Sequence, residues 1–160
     1  VRDQPATVGP LAGGKMVYAD DKHVDILVMR EMLSPSGAVV SEGENGQQAV
    51  DAWAAAQHDG TPFSVLLLDI TMPVRDGLSA LAEIREIERK NGWRHVPAIA
   101  VTANVLASQV ADYIVAGFST HLAKPFQRAD LLHALSSLLT GEADGPSDAM
   151  RSLHNVIANG

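Results

Sequence analysis

The sequence has no cysteine, which removes a disulfide framework and a thiolate zinc site together. With no redox marker the compartment stays open, and the cytoplasm is the default expectation. Basic residues are scarce: twelve Lys and Arg stand against nineteen Asp and Glu, a net charge of −7. Non-specific nucleic-acid binding needs clustered cations to neutralise phosphates, so no nucleic-acid partner is expected. No apolar run approaches the ~18 residues of a membrane span, so no membrane contact is expected from this segment. The opening residues, Val1-Arg2-Asp3-Gln4-Pro5, carry neither an initiator Met nor a signal-peptide apolar stretch, and read as the start of a piece cut from a longer polypeptide.

What is present suits one globular domain. Apolar residues make up 46% of 160 positions, enough for a full α/β core and too many for a disordered chain. Residues 1–14 hold two Pro and three Gly without periodicity and read as a linker or arm. Short apolar runs then recur at Met16–Ala19, Ala38–Ser41, Val65–Leu68, Ala98–Val101 and Ser119–Ala123. Between them lie helix-period stretches at about 22–34, 46–58, 78–91, 106–116 and 127–140. This alternation predicts a parallel sheet covered on both faces, within a domain spanning 15–140. Residues 141–160 open on Gly-Glu-Ala-Asp-Gly-Pro and read as a second linker, with a short helix expected at 148–158.

The strand ends carry the chemistry. Asp20 and Asp21 close the first, Asp69 the third and Thr102 the fourth, and Lys124 follows the fifth. In an open parallel sheet these ends border the ligand crevice, so residues a hundred positions apart converge. Three carboxylates within a few Å repel one another and call for a hard divalent cation with oxygen ligands. Mg²⁺ is the natural choice and Mn²⁺ the substitute, because Mg²⁺ tolerates an incomplete protein cage. A Lys ammonium and a Thr hydroxyl supply the donors that a transferring phosphoryl group needs. Each feature alone has an ordinary explanation, as a helix N-terminus, a turn, a loop or a β-former. Together, at the ends of four strands, they point to phosphoryl transfer.

Four segments carry a family resemblance: Ala19-Asp20-Asp21, then Leu68-Asp69-Ile70-Thr71-Met72-Pro73-Val74-Arg75-Asp76-Gly77, then Val101-Thr102-Ala103-Asn104, and Leu122-Ala123-Lys124-Pro125-Phe126. In order and spacing they resemble the receiver domains of two-component response regulators. The resemblance implies a flavodoxin-like, doubly wound (βα)5 fold with strand order 2-1-3-4-5. It implies that Asp69 accepts the phosphoryl group from a histidine kinase or a histidine phosphotransfer protein. It places Mg²⁺ on Asp20, Asp21, Asp69 and the Thr71 carbonyl, and makes Thr102 and Lys124 the phosphoryl's partners. Thr71 and Asn104, two positions beyond Asp69 and Thr102, would tune the lifetime of the acyl phosphate. His121 stands where the family often carries Tyr or Phe as a conformational switch, and so departs from the pattern. The wording Val101-Thr102-Ala103-Asn104 and the flanking linkers look most like receivers of hybrid sensor histidine kinases; a stand-alone single-domain regulator is the alternative.

Other classes fit less well. A haloacid-dehalogenase-like phosphatase needs a second acid two positions after its nucleophile, where Thr71 stands. A flavodoxin needs a hydroxyl- and Gly-rich loop where Asp20-Asp21-Lys22-His23 stands. Met72-Pro73 and Asp76-Gly77 are expected to shape the acceptor loop, the Gly by permitting a left-handed turn. In the first helix, Val24, Val28 and Met32 form one apolar stripe, expected to face the sheet. Ile26, Met29 and Leu33 form a second, expected to be exposed and to dock the donor's helix bundle.

Overall fold

The computed structural model describes residues 15–103 and 106–139. The arm at 1–14, the tail with its expected helix, Asn104 and Val105 lie outside them. Five parallel strands form one sheet: β1 (Lys15–Ala19), β2 (Val39–Gly43), β3 (Val65–Asp69), β4 (Ala98–Thr102) and β5 (Thr120–Ala123), in the order β2-β1-β3-β4-β5. The helices are α1 (His23–Leu33), α2 (Gly46–Asp59), α3 (Gly77–Asn91), α4 (Ala107–Ala116) and α5 (Arg128–Leu139). A short 3-10 turn at Ser34–Ser36 shifts β2 one residue later than its apolar run suggests.

Strand parity explains the unbroken apolar runs. Val17, Leu66, Leu68, Ala98 and Ala100 point into one core with Trp53 of α2, Leu81 and Ile84 of α3 and Tyr113 of α4. Met16, Tyr18, Val65, Leu67, Ile99 and Val101 point into the other, with residues of α1 and of α5. Every residue of β3 is buried, as a central strand covered on both faces requires.

Helix α1 corrects one expectation. Ile26, Met29 and Leu33 are 4%, 0% and 0% exposed and pack on the sheet, whereas Val24, Leu27 and Val28 are exposed and Met32 is half-buried. Steps of three and four return to within about 20° of the starting direction after seven residues, while two steps of four drift by about 80°. The 26-29-33 set is therefore the straighter stripe. The Arg30–Glu42 pair (2.6 Å) ties the helix to β2 in this rotation. Buried at roughly 1.5–3 kcal/mol each, these three side chains hold the fold and cannot dock a partner.

The acceptor loop corrects another. Gly77 is not left-handed; Val74 is, with φ 67°. Gly77 is required by proximity: a Cβ there would come 2.4 Å from the Asp69 carbonyl oxygen. Asp76 caps α3 by accepting from the Ser79 amide (2.7 Å).

Candidate phosphoryl-acceptor site

The carboxyl ends of the strands converge as expected. Asp20 follows β1 and is wholly buried; Asp69 and Thr102, ending β3 and β4, are 4% and 3% exposed. Lys124 follows β5, and its amide donates to the Thr102 carbonyl (2.8 Å), which seats the loop beside β4. The Lys124–Pro125 peptide is cis. Lys124 Nζ donates to Asp20 Oδ2 at 2.8 Å, to Asp25 Oδ2 at 3.0 Å and to Asp69 Oδ2 at 3.1 Å. One ammonium thus spans three carboxylates along the rim of a pocket of about 170 Å³. That pocket is lined by Lys22, Asp25, Asp69, Thr71, Thr102, Ala103 and Lys124.

The local chain sets this geometry. Asp20 Oδ1 accepts from the Lys22 amide (2.9 Å), turning the chain out of β1 into α1. The turn brings Asp25, in the first turn of α1, back over the crevice. Asp69 Oδ1 accepts from the Thr71 amide (3.2 Å), which starts the acceptor loop in the same way.

Electrostatics follow from burial and unequal charge. Burial and the neighbouring Asp20 charge, opposed by Lys124, together leave the Asp69 carboxyl raised to about 6. Burial also pushes Asp20 up, but hydrogen bonds from Lys124, Tyr18 and the Lys22 amide outweigh it and hold that carboxyl below its ordinary value. For Lys124, burial pulls down and the surrounding carboxylates more than compensate, so the ammonium is firmly protonated. Asp20, Asp21 and Asp69 each offer an oxygen, all within 4.8 Å of one another. An all-carboxylate donor set this tight suits a hard divalent cation.

Comparison with known proteins decides the family: the sequence profile of the response regulator receiver domain matches residues 16–136. The chain belongs to that family. As a receiver domain it is 32% identical over 128 residues to the peroxide stress-activated histidine kinase mak1 of Schizosaccharomyces pombe, covering 80% of this chain and 8% of that protein. It is 32% identical to the receiver domain of a sensor histidine kinase from Pseudomonas aeruginosa, solved with a magnesium ion in its active-site cleft. That match covers 81% and 99% of the two chains, with a TM-score of 0.67. It is 25% identical to the receiver domain of the histidine kinase CKI1 of Arabidopsis thaliana, solved with Mg²⁺ and BeF₃⁻, covering 88% and 95% at a TM-score of 0.69. The chain spans only 6% to 14% of the length of such histidine kinases. The phosphatase and flavodoxin readings fall with this result.

Within the receiver, Asp20, Asp69, Thr102 and Lys124 come together, with exposed Asp21 and Thr71 beside them. His121 is half-buried on β5, and burial holds its imidazole pKa below the ordinary value. The expected lifetime residue Asn104 lies outside the described residues. Three site residues escaped sequence reasoning. Asp25 could have been found, since it lies in the first turn of the helix that opens just after Asp20 and Asp21. Tyr18 could have been found by strand parity, two positions before Asp20. Tyr113 could not: its hydroxyl lies 3.4 Å from Thr102 Oγ1 because α4 packs over the end of β4, a tertiary fact.

Proposed function

We propose that this receiver accepts a phosphoryl group from a phosphohistidine onto Asp69, with Mg²⁺ or Mn²⁺ held by Asp20, Asp21 and Asp69 and by the Thr71 carbonyl. The parent protein on this reading is a hybrid sensor histidine kinase, in keeping with the kinases it matches. The observation that carries the proposal is the Lys124 ammonium bridging Asp20, Asp25 and Asp69 at the mouth of the pocket.

An Asp69 carboxylate oxygen attacks phosphorus in line, forming the O–P bond of an acyl phosphate as the P–N bond to the donor imidazole breaks. When bound, the cation neutralises charge on the transferring oxygens and offsets repulsion among the three carboxylates. Lys124 exchanges a carboxylate for a phosphoryl oxygen, and the Thr102 hydroxyl donates to another. The new charge of about −1.5 to −2 draws Thr102 toward the acceptor and biases the α4–β5 surface. Water later hydrolyses the mixed anhydride.

The donor docks on the solvent face of α1, where exposed Val24 and Val28 flank the pocket residue Asp25. Incubation with acetyl phosphate and Mg²⁺ should add one phosphoryl group by intact mass to the wild type and none to Asp69→Asn. Equal labelling of both sinks the assignment. Val28→Ser should slow transfer from a phosphohistidine protein several-fold and leave acetyl phosphate labelling unchanged; equal losses with both donors would remove the docking face.

A further inference from the structure

Tyr18 sits on the wholly apolar run of β1, 1% exposed, among Met29, Leu33 and Leu67. Residues two apart on a strand share a face, so its ring lies along the same side as Asp20. The Tyr18 hydroxyl donates to Asp20 Oδ2. That oxygen has a second donor, Lys124 Nζ, while Oδ1 takes the Lys22 amide.

The two donors to Oδ2 differ in kind. Lys124 is a flexible chain whose ammonium is shared with Asp25 and Asp69 and faces the pocket. Tyr18 is a rigid ring with two torsions, buried in the core on the α1 and α5 side of the sheet. If Lys124 turns to a phosphoryl group, as the proposed function requires, a wholly buried Asp20 would lose a charged donor, an expensive loss in such a setting. The phenol stays where it is.

We propose that Tyr18 is a positioning residue of the phosphoryl-transfer site: its hydroxyl fixes the Asp20 carboxylate toward the cation and frees Lys124 to leave Asp20 for the phosphoryl group. The proposal rests on the reading of Asp20 as a cation ligand. Removing an orienting partner of a metal-binding carboxylate weakens metal affinity by about ten- to a hundredfold. Tyr18→Phe keeps the ring and its packing, so about tenfold weaker Mg²⁺ binding is expected. Phosphorylation at saturating Mg²⁺ should also slow, because Lys124 becomes the remaining side-chain donor to Asp20 Oδ2 and is held there.

The competing explanation is a core tyrosine that merely satisfies its own hydroxyl, and a double-mutant cycle separates the two. Mg²⁺ is titrated calorimetrically into the wild type, Tyr18→Phe, Asp20→Asn and the double variant. Tyr18 acting through Asp20 predicts that Tyr18→Phe costs little further affinity once Asp20 is Asn. An affinity of Tyr18→Phe within twofold of the wild type, or the same fold-loss in both backgrounds, overturns the proposal. A second measurement needs no Tyr18 variant: the ¹³Cζ resonance of Tyr18, distinguished from that of Tyr113 with Tyr113→Phe, should move on Mg²⁺ addition and again in Asp20→Asn. A resonance indifferent to both overturns it too. A wild type that shows this coupling yet refuses acetyl phosphate would defeat the proposed function and not the positioning role; labelling without the coupling would do the reverse.

Discussion

Among the described residues, two charged clusters are built on opposite rules. In the first, Arg85 and Glu88 of α3 pair at 2.8 Å, 9% and 0% exposed. Glu88 Oε2 accepts the Val96 amide (2.8 Å), and Arg85 Nη2 donates to the Gly117 carbonyl (2.8 Å). The charges cancel, and the pair pins α3 to the loops before β4 and β5. In the second, the Lys124 ammonium pairs with Asp20, Asp25 and Asp69, with Asp21 and its partner Lys22 adjoining, and the cluster opens on a pocket. A balanced, hydrogen-bonded pair is complete by itself and acts as a brace. A surplus of carboxylates opening on a pocket is incomplete by itself, and on the proposed function a cation and a phosphoryl group complete it.

The two clusters differ most at Asp69. Asp69→Asn should abolish phosphorylation in an acetyl phosphate assay while far-ultraviolet circular dichroism stays native, since the amide keeps the shape and loses the nucleophile. In the brace the outcome should invert. Glu88→Ala leaves Arg85 buried without its partner and should lower unfolding free energy by about 3–5 kcal/mol in urea denaturation. Its labelling rate, measured well below its midpoint, should match the wild type. A labelling defect as large as the loss of stability would mean that the two clusters are not separable.

Charge surplus also has a pH signature, read in chelator. The Asp69 carboxyl is raised from 3.8 to about 6, so the folded state keeps a proton that the unfolded chain has released. Its contribution to stability is therefore full below about pH 4 and is lost as pH rises through 6. Asp69→Asn has no such contribution to lose. Its stability relative to the wild type should climb across that window by about 3 kcal/mol, from a gap of some two pKa units, and then level off. The lowered Asp20 carboxyl acts in the opposite direction, losing its contribution as pH falls. Subtracting one protein from the other leaves chiefly the Asp69 part. A difference that stays flat with pH would contradict the raised carboxyl.

The clusters also differ in how far the sequence exposes them. Asp20, Asp69, Thr102 and Lys124 were legible because each interrupts or follows an apolar run, and strand ends in a parallel sheet have one place to go. Asp25 and Tyr18 were hidden inside elements whose apolar or charged character had an ordinary explanation. On α1, two apolar stripes of similar composition compete. The straighter 26-29-33 stripe is the one buried, and the Asp20–Lys22 turn and the Arg30–Glu42 pair, which periodicity does not record, hold the helix in that rotation. The Arg85–Glu88 brace reads from sequence as one more solvated i,i+3 pair on a charged helix. Only the packing of the loops before β4 and β5 over it makes it buried.

The smallest effect separates two neighbours inside the surplus cluster, Asp21 and Asp20. Carboxylate repulsion alone predicts that removing either should stabilise the metal-free protein. The structure splits them. Asp21 is exposed, and its ion pair with Lys22 is long, 3.9 Å. Asp21→Asn therefore relieves repulsion at little cost and should raise the chelator-treated melting temperature by about 2 °C, a fraction of a kcal/mol on the scale of a domain this size. Asp20 is wholly buried and accepts from Tyr18, Lys124 and the Lys22 amide. Asp20→Asn weakens three hydrogen bonds and presents an amide donor among them, so relief of repulsion is offset and the melting temperature should hold or fall. Mg²⁺ should restore the order, stabilising the wild type more than either variant. If both variants melt higher than the wild type in chelator, repulsion outweighs the hydrogen bonds that hold Asp20, and the buried carboxylate is under more electrostatic strain than its partners suggest.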